Sequence, residues 1–202
     1  MPIRVISGIA KGRKLRLVPG DGTRPIMDRV KEALFNILSE RVVDTAFLDL
    51  YAGTGSVGIE ALSRGAEWVR FVDNAKLAIQ TIQSNVAHVG FAEQAEIVRA
   101  DVRDYLRGIP NRCFELVYVA PPQYLNLWHE TLLLLDANPD HICPDGWVIV
   151  QIDPAEKRAV DLSNLRQVDE RRYGNTLLWF FERPGEFDDQ EAHPTEFRRD
   201  TA

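Results

Sequence analysis

At 202 residues, with 45% hydrophobic and 27% charged side chains, the chain is long enough for one well-packed domain and a small appendage. No apolar stretch approaches the roughly 20 residues of a membrane span, and the first twenty residues carry Arg4, Lys11, Arg13, Lys14 and Arg16 in place of a signal peptide's apolar centre, so a cytoplasmic protein is expected. The net charge of -6 hides an asymmetry, because residues 1–31 hold eight Lys/Arg against Asp21 and Asp28, a local +6 that leaves -12 on the remainder.

In chain order, Ile3 to Ser7 and Lys14 to Val18 read as short strand-like segments around Gly8 and Gly12, a hairpin ahead of the main domain. Its cations, with Arg24, outline a nucleic-acid contact, since phosphate contacts need clustered positive charge; the competing reading is a solvated hairpin. Asp28 is placed to cap a helix with Val30, Ala33, Leu34, Ile37 and Leu38 on one face and Lys31 and Glu32 exposed. A repeating unit follows. Strand-like runs at Ala46 to Leu50, Trp68 to Val72, Ala95 to Arg99 and Phe114 to Val119 alternate with helix-like Val57 to Arg64, Lys76 to Val89 and Val102 to Arg107. Strands alternating with helices predict an α/β fold with a mostly parallel sheet and right-handed crossovers. A further helix, Leu125 to Leu135, leads to a strand at Trp147 to Gln151, and Leu165 to Tyr173 with Thr176 to Glu182 forms a closing hairpin around Gly174-Asn175, an antiparallel edge. The chain thus divides into a basic hairpin extension (1–22), the main domain (23–183) and an acidic tail (184–202) too poor in apolar side chains to order itself. Cys113, Cys143 and four scattered histidines form neither a metal spacing nor a disulfide framework, so the cysteines are expected to be buried or incidental thiols.

The segment Asp49-Leu-Tyr-Ala-Gly-Thr-Gly-Ser-Val-Gly58 lies where a strand turns into a helix. Glycines there let the backbone approach a ligand, and free N–H groups at the helix start favour an anionic group. Gly53, Gly55 and Gly58 satisfy the dinucleotide fingerprint, with Asp73 at the end of the next strand, which alone would suit a nicotinamide oxidoreductase. Two features serve no hydride transfer: the acid Asp49 at the end of the first strand, and Ala120-Pro121-Pro122-Gln123-Tyr124 after the fourth. Together they point to S-adenosylmethionine. That molecule needs an acceptor near its ammonium and sulfonium, N–H donors for its carboxylate, an acid for its ribose and a polar contact for adenine. Asp49, the Gly53 to Gly55 backbone, Asp73 and Asp101 supply these in that order, with Tyr51, Ala52, Thr54, Asn74 and Val102 beside them. Each acid taken singly also reads as a strand-end cap, and Asp101 as an ordinary helix N-cap.

The stretch Arg24-Pro-Ile-Met-Asp-Arg-Val-Lys-Glu-Ala-Leu-Phe-Asn-Ile-Leu38, then Leu48 to Gly58 and Glu60-Ala-Leu-Ser-Arg-Gly-Ala66, resembles the bacterial family that methylates guanine N2 in 16S ribosomal RNA. Arg4-Val-Ile-Ser-Gly8, Gly12-Arg-Lys-Leu15 and Tyr173-Gly174 resemble it too, so the likeness runs from near the start to Glu182. It implies the seven-stranded class I methyltransferase sheet with an N-terminal hairpin, S-adenosylmethionine at the glycine loop, Asp73 and Asp101, and ribosomal RNA or the assembling small subunit as partner to a monomer. The family's catalytic signature is Asn or Asp, Pro-Pro, then Tyr or Phe; here Ala120 holds the first position and the aromatic, Tyr124, comes one residue late after Gln123. An exocyclic guanine amine is a poor nucleophile until its protons are accepted, and alanine accepts nothing. Pro121 offers its carbonyl, Gln123 an amide oxygen and Tyr124 a ring to stack on the base. Two readings stand at this point: a guanine-N2 methyltransferase with a modified catalytic loop, and a methyltransferase-like binding module without turnover.

Overall fold

The computed structural model describes residues 3–20 and 26–185. Seven strands, β1 (Ala46–Leu50), β2 (Trp68–Asp73), β3 (Ala95–Arg99), β4 (Phe114–Val119), β5 (Ile142–Ile152), β6 (Arg166–Tyr173) and β7 (Thr176–Glu182), form one sheet in the order β3-β2-β1-β4-β5-β7-β6. The first five are mutually parallel, and β7 runs antiparallel between β5 and β6. Five α-helices, α1 (Asp28–Leu38), α2 (Ser56–Ser63), α3 (Lys76–Val89), α4 (Val102–Arg107) and α5 (Leu127–Ala137), complete the α/β architecture that the alternating pattern predicts. No helix among the described residues is long and apolar enough to cross a membrane.

The central strand β1 is buried along its whole length, as a parallel strand covered on both faces must be. Successive residues feed two cores. Phe47, Phe71 and Tyr118 face a cluster closed by α1, α2, α3 and the N-terminal segment, whereas Leu48, Val72, Val117 and Val119 face one closed by α4 and α5. Each such side chain contributes roughly 1.5–3 kcal/mol relative to exposure. Helix α2 lies so close to the sheet that a Cβ at Gly58 would stand 2.3 Å from the Phe71 ring, which gives the third glycine of the loop a packing role.

The N-terminal segment forms no regular strands: residues 3–20 pair through an isolated antiparallel bridge, Arg4 to Lys14, flanked by Val5 N–H to Arg13 O and Leu15 N–H to Ile3 O at 2.9 Å each. It is held to the domain by a buried acid. Glu60 of α2, fully inaccessible, accepts the backbone N–H groups of Ile6 (2.7 Å) and Ser7 (2.9 Å) and pairs with Lys31 (3.2 Å) and Arg64 (2.9 Å). Lys31 in turn donates to Arg4 O at 2.7 Å. The expectation that Lys31 is exposed is therefore corrected: it is 1% accessible, because the N-terminal segment covers that face of α1, and Lys31 itself supplies Glu60 with a counter-charge. Met27, not Asp28, occupies the N-cap of α1; Asp28 is the first helical residue and pairs with Arg4 at 3.2 Å.

The cysteines are a second correction. Cys113 and Cys143 are joined in a disulfide, since they precede and open neighbouring parallel strands whose register sets Phe114 beside Ile142; a separation of 30 residues conceals that adjacency. The strand expected from Trp147 starts instead at Ile142, and the helix expected from Leu125 starts at Leu127 after Asn126 in a left-handed conformation (φ 58). Arg24 and residues 186–202 of the acidic tail lie outside the described residues.

Candidate active site

β1 has β2 on one side and β4 on the other, so the connections diverge there and leave a crevice at the carboxyl ends of the strands, the place where open α/β sheets bind ligands. A cleft of about 760 Å³ opens at that point, within the range of roughly 300–1,000 Å³ usual for small-molecule sites. It brings together, from three strand ends distant in sequence, Asp49 of β1 with Tyr51, Ala52, Gly53 and Thr54 of the loop after it, Asp73 at the end of β2 with Asn74, and Asp101 and Val102 after β3. Ala120, Pro121, Pro122 and Gln123 after β4 form a further wall. Gly55 lies behind the loop, with Ile82 and Phe71 3.3 Å from where its Cβ would be.

Asp49 is 2% accessible and accepts the N–H of Gly58 at 3.0 Å, tying the end of β1 to the first turn of α2. Burial pushes its carboxyl up to about 8, with the charge of Asp73 adding to the rise and the Gly58 bond opposing it. Asp73 accepts from Gly53 and Ala75 at 2.9 Å each, and Gly55 N–H bonds Ala52 O at 2.7 Å, so two of the loop donors expected to face a carboxylate are engaged within the protein. Asp101 is the N-cap of α4, accepting from Arg103 N at 2.8 Å, and it holds the Arg103 guanidinium at 2.9 and 3.0 Å. That guanidinium keeps the Asp101 carboxyl down at about 2. Tyr51 adopts φ 60, and its hydroxyl reaches Thr131 of α5 at 2.7 Å.

Tyr124 departs from its expected place. It is exposed, adopts φ 62, and is tied away by its N–H to Glu156 (2.8 Å) and its hydroxyl to Asp153 (2.9 Å); it does not line the cleft. The extra residue, Gln123, carries the aromatic past the site. Several lining residues belong to no motif. Tyr118, Gln151, Arg103 and the Asn175-Thr176 turn reach the cleft, Tyr118 because its pleat face points there and Asn175 because β7 is inserted next to β5. Gln151 was detectable as a polar residue ending the apolar run of a central strand.

Arg4, Lys11, Arg13, Lys14 and Arg16 are all exposed, with Arg4 on Asp28 and Arg13 donating to His88 O. Two residues beyond Arg16 the same segment enters the cleft through Val18 and Pro19. Its path is fixed by Asn85 of α3, which accepts from Arg16 N–H (2.7 Å) and donates to Arg16 O (3.0 Å) and Thr54 O (2.9 Å).

Comparison with known proteins gives a consistent picture. The family model described as "Conserved hypothetical protein 95" matches residues 3–182. YlbH of Bacillus subtilis is 35% identical across 91% of this chain and 100% of its own. The ribosomal RNA small subunit methyltransferase D of Haemophilus influenzae is 36% identical across 72% of this chain and 73% of its own. The solved structure of yhhF from Escherichia coli superposes with a TM-score of 0.79 at 31% identity, covering 92% of this chain and 100% of that one.

Proposed function

The chain belongs to the family described as Conserved hypothetical protein 95, and on that premise we propose that it transfers a methyl group to the exocyclic N2 of a guanine in small-subunit ribosomal RNA. It is an S-adenosylmethionine-dependent methyltransferase; what the proposal adds is the acceptor atom and the residues that serve it. The observation that carries it is the meeting, in one cleft, of a buried acid near the carboxyl end of β1 and a Pro-Pro turn after β4. The residues fit the cofactor. Among the described residues Asp49 has no ion-pair partner, a charge that an ammonium or sulfonium would provide; Asp73 suits a ribose diol, and Asp101 with Val102, lining the same cleft, suits adenine. When bound, the cofactor supplies an electrophilic methyl on a positively charged sulfur.

The chain's own residues then orient the amine and hold its protons. With alanine at position 120, the acceptors at the turn are the backbone carbonyls of Ala120 and Pro121 and the amide oxygen of Gln123. Most of the acceleration then rests on proximity and alignment, which can supply roughly 7–11 kcal/mol of a barrier. The exposed cations of residues 4–16 lead through Val18 and Pro19 to the same cleft, which supports RNA as the partner, with contacts to phosphate positioning it and the Pro-Pro wall receiving an unstacked base. Cytoplasmic action follows from that substrate. The test is methyl transfer from labelled cofactor to small-subunit particles and to free 16S RNA, with nucleoside mass spectrometry of the product. N2-methylguanosine is the expected product; a methyl on another atom, or none, would refute the proposal.

A further inference from the structure

We propose that Gln151 orients the target base, donating from its side-chain amide to the ring acceptor beside the reacting amine, which is N3 when the amine is guanine N2. The inference rests on the guanine reading above for the identity of that ring atom, and on the geometry of the cleft for the donor.

Register places Val119 of β4 opposite Val150 of β5, so the residues that follow them, Ala120, the position that lacks an acceptor, and Gln151, next to last in β5, are neighbours in the cleft. Tyr118, 2% accessible, donates its hydroxyl to Gln151 Oε1. Burial, together with the nearby charge of Asp49, drives the phenol well above its ordinary range, which keeps it protonated and a donor. A side-chain amide whose oxygen is held by such a donor has its orientation set. The oxygen is engaged by Tyr118 of β4, and Tyr118 and Gln151 both line the cleft; in the proposed role the two amide hydrogens are left to the base.

The chemistry of the base decides what this donor can meet. Guanine N2 has two ring neighbours: N1, which bears a hydrogen, and N3, which bears a lone pair. A donor suits N3 and repels N1–H, so it selects the face on which the base enters. With Asp or Asn at position 120, an acceptor would hold the amine directly. With Ala120, orientation falls to neighbours, and Gln151 is the polar side chain on the adjacent strand end.

The test uses steady-state methyl transfer to small-subunit particles and calorimetric binding of S-adenosylhomocysteine for Gln151→Leu, Gln151→Glu and Tyr118→Phe. Gln151→Leu is expected to lower kcat about 10- to 100-fold, the loss of one positioned hydrogen bond at the reacting centre, with unchanged cofactor affinity showing an intact fold. Gln151→Glu is expected to be equally poor at neutral pH and to regain activity as pH falls and the carboxyl becomes a donor, a profile that a purely structural role would not produce. Tyr118→Phe should lose less, since it frees the amide to rotate without removing it. A Gln151→Glu enzyme as active as wild type at neutral pH would overturn the donor role, and a Gln151→Leu enzyme indistinguishable from wild type would overturn the contact. Wild-type methylation of an amine other than guanine N2 would overturn the guanine reading while these ratios still judge Gln151; no transfer to any RNA would overturn both.

Discussion

Asp73 spends both carboxylate oxygens on backbone, one accepting Gly53 N–H and the other Ala75 N–H, each at 2.9 Å. The end of β2 thereby holds the glycine loop that follows β1; on the proposed function, Asp73 also receives the ribose diol. Asp73→Ala is expected to weaken S-adenosylhomocysteine binding by about 1.5–3 kcal/mol, the range for hydrogen bonds to a charged group. Calorimetry reads it, and unaltered affinity would remove Asp73 from the site.

Asp49 predicts a pH dependence. Its folded value of about 8 lies above the roughly 3.9 of an unfolded chain, so the native state keeps a proton that the unfolded state releases. Its contribution to stability is full below about pH 4 and is lost as pH rises through about 8. Asp49→Asn should therefore leave Tm unchanged near pH 4 and raise it near pH 9. A cationic ligand favours the ionised carboxyl, so affinity for S-adenosylmethionine should fall by up to about tenfold per pH unit below about 8, with proton release on binding. Titrations in buffers of different ionisation heat would detect that proton.

Glu60 anchors the N-terminal segment. Glu60→Ala leaves Lys31 buried without a counter-charge and the N–H groups of Ile6 and Ser7 without acceptors, a loss expected to cost about 3–5 kcal/mol. Urea denaturation measures the cost, and hydrogen exchange should show residues 3–20 opening first.

Neutralising Arg13, Lys14 and Arg16 together is expected to weaken RNA binding across sequences and to flatten its salt dependence by roughly 0.7–0.9 per lost phosphate contact. Cofactor affinity should not move. Filter binding at several salt concentrations decides it; indifference to both salt and substitution would make the segment a solvated face.

Ala120→Asp or Ala120→Asn is expected to raise the methylation rate about 10- to 100-fold without tightening cofactor binding, since the restored acceptor acts in the transition state. Single-turnover kinetics measures the change. A fall in rate, joined to loss of activity in Gln123→Ala, would show that Gln123 and the backbone carbonyls already fill the acceptor role.

Alternating runs of apolar residues determined the α/β class, the parallel strands and the closing hairpin, because a period of two or of 3.6 is a local property of the chain. That Asp49, the glycine loop, Asp73 and Asp101 lie near one another follows for a similar reason: each lies at or just beyond the carboxyl end of a parallel strand, and those ends gather in one place whatever the details of packing. The remainder depended on what lies beside what. Lys31 and Glu60 read as polar positions on two helices until the N-terminal segment covers them, and a buried pair is visible only when both partners are placed. The Cys113–Cys143 disulfide follows from the register of β4 and β5, which no spacing encodes. Tyr124 and Gln151 depend on packing in the same way: one inserted residue turns the aromatic out to Asp153, while strand pairing brings Gln151 into the cleft with Ala120. Local pattern determines which elements form; only their packing decides which side chains meet.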